Sequence, residues 1–118
     1  MKEAIQVHYL EIVTSDVERI CASYSQTLGV SFGNPIAELA GARMAVLTNG
    51  GTIGVREPMH DAELPTTRPY YLVEDIEKSV IEAERSGAEI AVPPMVIPGR
   101  GKCAIVMFGA VQSGFWQI

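Results

Sequence analysis

The sequence is poor in cysteine, in basic charge and in long apolar runs, and each shortage excludes a class of protein. Its two cysteines, Cys21 and Cys103, form no CxxC pair, so we expect reduced, buried thiols and neither a disulfide framework nor a zinc cluster. The formal net charge is -5, whereas a nucleic-acid-binding face needs basic charge. No run approaches the roughly 18 apolar residues of a membrane-spanning helix.

The remaining composition is that of an ordinary globular domain. Apolar residues make up 47% of the 118 positions, which is enough for the core of one domain. The N-terminal stretch up to Val13 contains acidic residues and lacks the apolar centre of a signal peptide. We therefore expect a single cytoplasmic domain over residues 1–118.

Two segments of the sequence are alike, and each begins with an aspartate that can cap a helix. Asp16 and Asp75 each follow a short apolar run, and a carboxylate there can accept the N–H groups of a first helical turn. Gly29 and Gly87 stand where left-handed caps should end the two helices. Apolar residues follow at helical spacing: Val17, Ile20, Cys21, Tyr24 and Leu28 in the first helix, and Ile76, Val80 and Ala83 in the second.

Each predicted helix is followed by predicted strands. The runs 30–32 and 88–90 are typical of short strands, and prolines follow both. Each half then offers a hairpin, with residues 43–47 turning through 49–51 into 52–56, and residues 102–108 turning near Gly109 into 112–118.

Each half is therefore predicted to be a βαβββ module. Module 1 covers about residues 1–57, a proline-containing linker about 58–67, and module 2 about 68–118. Neither module could bury one face of its sheet alone, so we expect the two to pair. The expected fold is α+β, with tandem βαβββ modules forming a curved mixed sheet around a pocket and one main helix per module on the outside.

This tandem repeat, with its Asp-capped first helix and its closing Gly-Phe-Trp-Gln at residues 114–117, resembles the vicinal-oxygen-chelate superfamily. That group includes glyoxalase I, extradiol dioxygenases and bleomycin-resistance proteins. The segments 9–18, 68–77 and 113–118 also resemble small bacterial members labelled hydroxylases. The resemblance covers essentially the whole chain and implies a cup for a small molecule. It does not specify a reaction, because this fold hosts several chemistries and plain binders.

The resemblance also identifies the positions where metal ligands would stand, on the first and last strand of each module. Those positions are Tyr9 and Gly54 in module 1, and Arg68 and Gly114 in module 2. A catalytic divalent metal needs about three His, carboxylate or Cys ligands, and none of the four positions has one. We therefore expect no metal and no other cofactor, and we expect the two glycines to widen the cup.

Strand alternation predicts which side chains face that cup. If Tyr9 faces inward, so do Glu11 and Val13, whereas His8, Leu10 and Ile12 face the helix. The other inward positions by the same count are Arg68, Tyr70 and Leu72, together with Thr52, Arg56, Gln112 and Trp116 on the closing strands.

Glu11 is the most informative of these residues, because a carboxylate in the middle of a strand is costly to bury without a partner. Arg56 or Arg68 could supply that partner. Glu11 is then either a general base or an anchor for a polar ligand, or half of a structural ion pair that closes the two modules. Arg68 could hold an anion through its fork of donors.

The other candidates have plainer alternatives. Tyr9, Tyr70 and Trp116 could line the cup for a planar ligand, although core packing explains aromatic strand residues equally well. His60 lies in the linker, either over the mouth of the cup or simply at the surface. The glycine-rich run 98–102 is either a flexible hairpin entry or a lid with cations for an anionic ligand.

Several hypotheses of function stay open. The first is a metal-independent enzyme for a small molecule, aromatic or polyketide-like, in which Glu11 moves a proton and Arg68 holds the negative charge that develops. The second is a non-catalytic protein that sequesters a drug or metabolite, as bleomycin-resistance proteins do. A third is a metalloenzyme with ligands displaced to Glu11, Glu57 and His60. By analogy with its relatives we expect a homodimer.

Overall fold

The computed structural model describes residues 5–48 and 50–118, and within them it has two α-helices, a short 3-10 helix and seven strands. In chain order the elements are β1 (Val7–Val13), α1 (Val17–Leu28), the 3-10 helix (Ala37–Leu39), β2 (Arg43–Val46), β3 (Thr52–Arg56), β4 (Thr66–Leu72), α2 (Ile76–Arg85), β5 (Glu89–Ile97), β6 (Gly101–Phe108) and β7 (Val111–Gln117). Strands pair both parallel and antiparallel, so the predicted α+β class is confirmed. Over the described ranges, no helix has the length and apolar character needed to span a bilayer.

The chain divides into two compact units. The first unit is residues 9–67, which corresponds to most of module 1 with its linker. The second unit joins the N-terminal residues up to His8 to residues 68–118. Within the second unit, the N–H of Leu72 donates to the carbonyl of Gln6 at 3.0 Å, which ties the start of the chain to β4.

The first unit is built around β3, which pairs in parallel with β1 and antiparallel with β2. The predicted hairpin of β2 and β3 is present, and Asn49 of its turn lies outside the described residues. Residues 30–32 do not form a strand, so that prediction is wrong. Pro35 has no N–H to give to a ladder, and this segment instead makes single contacts, such as Gly33 N–H to the Met44 carbonyl at 2.9 Å.

Helix α1 covers the sheet of the first unit with the apolar stripe that its sequence predicts. Cys21 is buried against Ile12, Ile53 and Val55, and Leu10 is among the residues packed around them. Leu10 and Ile12 thus face the helix, as strand alternation predicted. Leu28 does not join this stripe: it is the last residue of α1 and is 59% exposed.

The second unit has all five elements of a βαβββ module. Strand β4 pairs in parallel with β7, β7 antiparallel with β6, and β6 antiparallel with β5. Helix α2 buries its predicted stripe against this sheet: Ile76, Val80 and Ala83 pack with Ala88, Ala104, Val106 and Phe115. Both cysteines of the protein are buried and neither forms a disulfide, as predicted.

Strand β5 runs on through Pro93 and Pro94, where the sequence predicted that it would end. Its register with β6 shifts between Ile90 and Val92 and again between Val92 and Met95. Proline removes a ladder donor and is tolerated at such irregularities and on an outer strand. β5 is the last strand in the β4-β7-β6-β5 order of its unit, so the two prolines interrupt the pairing without ending the strand.

Candidate functional site

Glu11 lies in the middle of β1 opposite Gly54 of β3, and its side chain is nearly covered. The Nε–H of Arg56 donates to Glu11 Oε2 at 2.8 Å. The residues are 8% and 4% exposed, so this is a buried ion pair. Arg56 is one of the two partners that the sequence proposed for Glu11, and this pair joins β1 to β3 inside the first unit.

A second carboxylate, Glu63 of the linker, holds the other end of the same guanidinium. Arg56 NH1 and NH2 donate to the two oxygens of Glu63 at 2.9 and 2.7 Å, and NH1 also donates to the Glu57 carbonyl at 3.1 Å. Sequence reasoning missed Glu63. The sequence does show an acid seven residues after Arg56. No periodicity of the sequence, however, predicts that the linker folds back to bring Glu63 to this arginine.

The two carboxylates stabilise the charged form of Arg56. Its pKa is raised, first by the hydrogen bond to Glu63 and further by the bond and the charge of Glu11, against burial, which lowers it. Four of the five guanidinium N–H groups donate to Glu11, Glu57 and Glu63. Arg56 therefore holds other protein groups in place, and its predicted role as a ligand contact stays a prediction.

Tyr9 covers Gly54 in the first unit. A Cβ built at Gly54 would overlap Oη and Cζ of the buried Tyr9 ring. The sequence predicted that this glycine would leave open space and widen the cup. That prediction is wrong for Gly54, because the tyrosine ring fills the space that a side chain there would occupy.

Tyr70 covers Gly114 in the second unit, so the same correction applies there. The two residues are opposite each other on β4 and β7, and a Cβ at Gly114 would overlap the Tyr70 ring. On the same face, Tyr70 meets Trp116 edge-on with ring centroids 5.7 Å apart. Tyr70, Gly114 and Trp116 therefore lie together, as the alternation of their strands predicted.

Arg68 is 7% exposed and is oriented by the amide of Gln112. Its Nε and NH2 both donate to Gln112 Oε1, at 2.9 and 2.7 Å, and its NH1 lies 3.5 Å from Tyr70 Oη. Gln112 is on β7, so a second pair of predicted inward residues lies on the face that carries Tyr70.

Trp116 contacts the 98–102 turn, whose position the sequence left open, and His8, which was predicted to lie elsewhere. Its indole N–H donates to the Arg100 carbonyl at 2.8 Å, and Lys102 pairs with Glu77 of α2 at 3.4 Å, so the 98–102 turn is fastened at both points. His8 was predicted to pack under a helix. Its ring instead lies 5.6 Å from the Trp116 ring, and burial lowers its pKa.

The four positions that the resemblance identified for metal ligands do not suit a metal. Tyr9, Gly54, Arg68 and Gly114 provide no imidazole, carboxylate or thiolate, and tyrosine rings lie where side chains at the two glycines would stand. Over residues 5–48 and 50–118, no three His, Cys, Asp or Glu side chains come together in a group that could hold a metal. The displaced set Glu11, Glu57 and His60 is therefore not assembled.

His60 lies on an open surface depression formed mainly by the linker, with a volume of about 510 Å³. Its lining includes Glu57, Asp61, Glu63 and Ser15. A second depression of about 420 Å³ lies by the start of α1 and shares Glu57 with the first. Glu11 is not among the residues that line either depression.

Comparison with known proteins gives matches in structure alone. No family model and no curated protein matches the chain. A hypothetical protein from Bacillus halodurans C-125 is 14% identical with a TM-score of 0.76, over 98% of this chain and 96% of that chain. A methylmalonyl-CoA epimerase from Mycobacterium tuberculosis is 14% identical with a TM-score of 0.71, over 93% and 85% of the two chains.

A Streptomyces coelicolor methylmalonyl-CoA epimerase variant, in complex with 2-nitronate-propionyl-CoA, has a TM-score of 0.66 at 14% identity, over 95% and 96% of the two chains. At this identity the likeness shows the fold alone. The fold agrees with the βαβββ modules that the resemblance to the vicinal-oxygen-chelate superfamily implied.

Proposed function

We propose that the protein binds a small organic molecule and moves a proton on it with Glu11, without a metal. The observation that carries this proposal is the buried Glu11 carboxylate, held in mid-strand by a guanidinium that is itself held by a second carboxylate. Burying a charged group is costly unless it is paired. A carboxylate fixed in this way is preorganised, as a group that transfers a proton must be.

The structural neighbours support a small-molecule role. Of the three neighbours described above, two are methylmalonyl-CoA epimerases, and one of these is bound to an acyl-CoA analogue. Epimerisation next to a carbonyl begins when a base removes a proton from carbon, and the negative charge then moves to the carbonyl oxygen. We infer that the ligand here is a carbonyl compound with an acidic C–H group.

In this proposal Glu11 accepts the proton from carbon and returns it. Arg68, in the second unit, keeps its predicted role as a contact for negative charge, because its planar fork suits an oxyanion and Gln112 fixes its orientation. Tyr9 in the first unit, and Tyr70 and Trp116 in the second, stay predicted contacts for an apolar part of a ligand. Arg56 and Gln112 act by positioning their neighbours.

The test is proton exchange in D2O, followed by proton NMR, with EDTA present. The probes are phenylpyruvate, which has an aromatic ring, a carboxylate and an acidic C–H, and methylmalonyl-CoA. We expect the protein to accelerate exchange of at least one probe above the protein-free rate. Glu11→Gln keeps an oxygen for Arg56 and should lower that rate by about 100-fold or more, the range of general acid–base catalysis.

Glu18→Gln is the matched control. Glu18 is an exposed carboxylate in the same unit that also accepts from an arginine, Arg43 at 2.9 Å, and its loss should leave exchange unchanged. A rate that survives Glu11→Gln, or one that requires an added divalent metal, contradicts the proposal. Probe binding seen by thermal shift without any exchange would favour the sequestering protein instead.

A further inference from the structure

We propose that Glu63 of the linker is a positioning residue for Glu11 and acts on it through Arg56. This inference rests on the proposed function for the role of Glu11. Glu11 lies on β1, whereas Glu63 lies in the linker, so a residue far along the chain would take part in proton transfer.

The geometry of the guanidinium carries the argument. Glu63 accepts from both NH1 and NH2 of Arg56, at 2.9 and 2.7 Å, and this paired contact fixes the plane of the group. Since a guanidinium is rigid and planar, fixing that edge also fixes the direction of its Nε–H. The Nε–H is the donor that meets Glu11 at 2.8 Å. The orientation of Glu11 is therefore set, in part, by Glu63.

The same carboxylate also shapes the linker. Glu63 Oε1 accepts from the N–H of Met59 at 2.7 Å, and the N–H of Glu63 donates to the His60 carbonyl at 3.0 Å. Arg56 adds a bond to the carbonyl of Glu57. The turn of the linker and the ion pair on the strands thus form one connected network, so the linker conformation and the Glu11 position should change together.

Burial makes this network different from a surface ion pair. The side chains of Glu63, Arg56 and Glu11 are 15%, 4% and 10% exposed, so water replaces a lost partner less readily than it does at the surface. A buried guanidinium that loses one carboxylate must turn toward another acceptor. That rotation would move the Nε–H away from Glu11.

The closing experiment compares Glu63→Gln with Asp61→Asn. Asp61 is an exposed acid in the same turn, so the control removes one charge without touching the network. The first readout is the Arg56 Nε–Hε signal in proton–nitrogen NMR, which needs no substrate. In Glu63→Gln we expect this hydrogen to exchange with solvent at least about tenfold faster, as for the loss of a charge-assisted bond, and in Asp61→Asn at the parental rate.

The second readout is the exchange assay with the probe that the parent protein turns over. We expect Glu63→Gln to lower kcat roughly tenfold to 100-fold, as a small misplacement of a reacting group does, with KM changed less than about twofold. In the Glu11→Gln background, Glu63→Gln should add no further loss, because residues that act as one unit are not additive. Glu63→Asp keeps the charge but shortens the reach, and it serves if Glu63→Gln does not fold.

The outcomes separate this inference from the proposed function. An unchanged Arg56 signal with unchanged kcat overturns the role of Glu63, while a large effect of Glu11→Gln still supports proton transfer. Additive losses in the double variant also overturn it, since Glu63 would then act by another route. If Glu11→Gln has no effect, proton transfer by Glu11 fails, yet the Arg56 signal still reports whether Glu63 orients the guanidinium.

Discussion

At the scale of single residues, each unit seats a tyrosine ring on a glycine, and the two rings come from different places along their strands. Tyr70 lies directly opposite Gly114, whereas Tyr9 reaches Gly54 from two residues before Glu11, the residue opposite that glycine. The two modules therefore reach the same contact by different routes. In the first module, the residue opposite the glycine is therefore Glu11, which carries a carboxylate.

The contact between Tyr9 and Gly54 can be tested by adding one methyl group. Gly54→Ala places a Cβ on the buried end of the Tyr9 ring, so the ring must move, and we expect a loss of about 1–3 kcal/mol, typical of overpacking. Gly33→Ala is the control, because its Cβ would meet only the Met44 carbonyl at 3.8 Å, and its effect should stay within about 0.5 kcal/mol. Urea unfolding measures both. Equal effects would mean that Tyr9 moves aside without cost.

Residue-scale prediction from the sequence succeeded where strand alternation decides the answer. It put Glu11 and Arg56 on one face, and Arg68 and Gln112 on one face, because every second side chain of a strand points the same way. The sequence left open whether Arg56 or Arg68 pairs with Glu11. Prediction failed where a side chain reaches along the strand or a loop folds back. The ring of Tyr9 over Gly54 and the return of Glu63 to Arg56 depend on packing that no local period encodes.

At the scale of elements, the two helices begin at equivalent aspartates that cap differently. The Asp75 carboxylate accepts the N–H of Lys78 at 3.1 Å, whereas the side chain of Asp16 makes no such bond. The helix ends also differ. Gly29 closes α1 with φ 70°, and α2 ends with Gly87 at φ 108° and with Ala88 N–H bonded to the Ala83 carbonyl, which is a Schellman motif.

The unequal caps predict unequal costs for the same substitution. Asp75→Ala leaves the N–H of Lys78 without its acceptor and should lower the free energy of unfolding by about 1 kcal/mol. Asp16→Ala removes the favourable charge at the helix start, worth roughly 0.3–1 kcal/mol at low salt, and an exposed ion pair with Arg19 at 3.8 Å, which salt also screens. Urea unfolding at 0.5 M salt should therefore reduce the effect of Asp16→Ala and largely keep that of Asp75→Ala. Equal, salt-independent losses would contradict this assignment.

Element-scale prediction from sequence was best for the helices, since a helix has several agreeing signals. The capping aspartates, the apolar stripe and the closing glycines gave the limits of α1 and α2. The strands were harder. Residues 30–32 are apolar enough for a strand but lie before a proline, and the prolines of β5 do not end it because irregular pairing with β6 accommodates them.

At the scale of the whole molecule, the fold was predictable and the reaction was not. The tandem repeat specifies elements and their order, and the structural neighbours have the same fold at 14% identity. A reaction depends on a few side chains that this fold exchanges freely. Tyr9, Gly54, Arg68 and Gly114 illustrate this exchange, because none of them is a His, a Cys or a carboxylate at the four positions that the resemblance identified for metal ligands.

The stability of the whole molecule should depend on pH through His8, which is partly buried beside Trp116. Burial lowers the His8 pKa in the folded protein below its ordinary value of 6.5. Well above pH 6.5 the imidazole is neutral in both states and contributes no pH dependence. As the pH falls below 6.5, the unfolded chain binds a proton that the folded chain still excludes, so the free energy of unfolding should fall until the folded-state pKa is passed.

His8→Gln removes this proton-linked loss and isolates it from every other titrating group. Between pH 7.5 and pH 5.5, we expect the urea midpoint of the parent protein to fall by more than that of His8→Gln. Trp116, the sole tryptophan, reports unfolding by fluorescence. A constant offset at all pH values would mean that His8 contributes packing alone. If the urea midpoint of the parent instead fell by less than that of His8→Gln at low pH, the folded state would stabilise the imidazolium, for example against the face of the Trp116 ring.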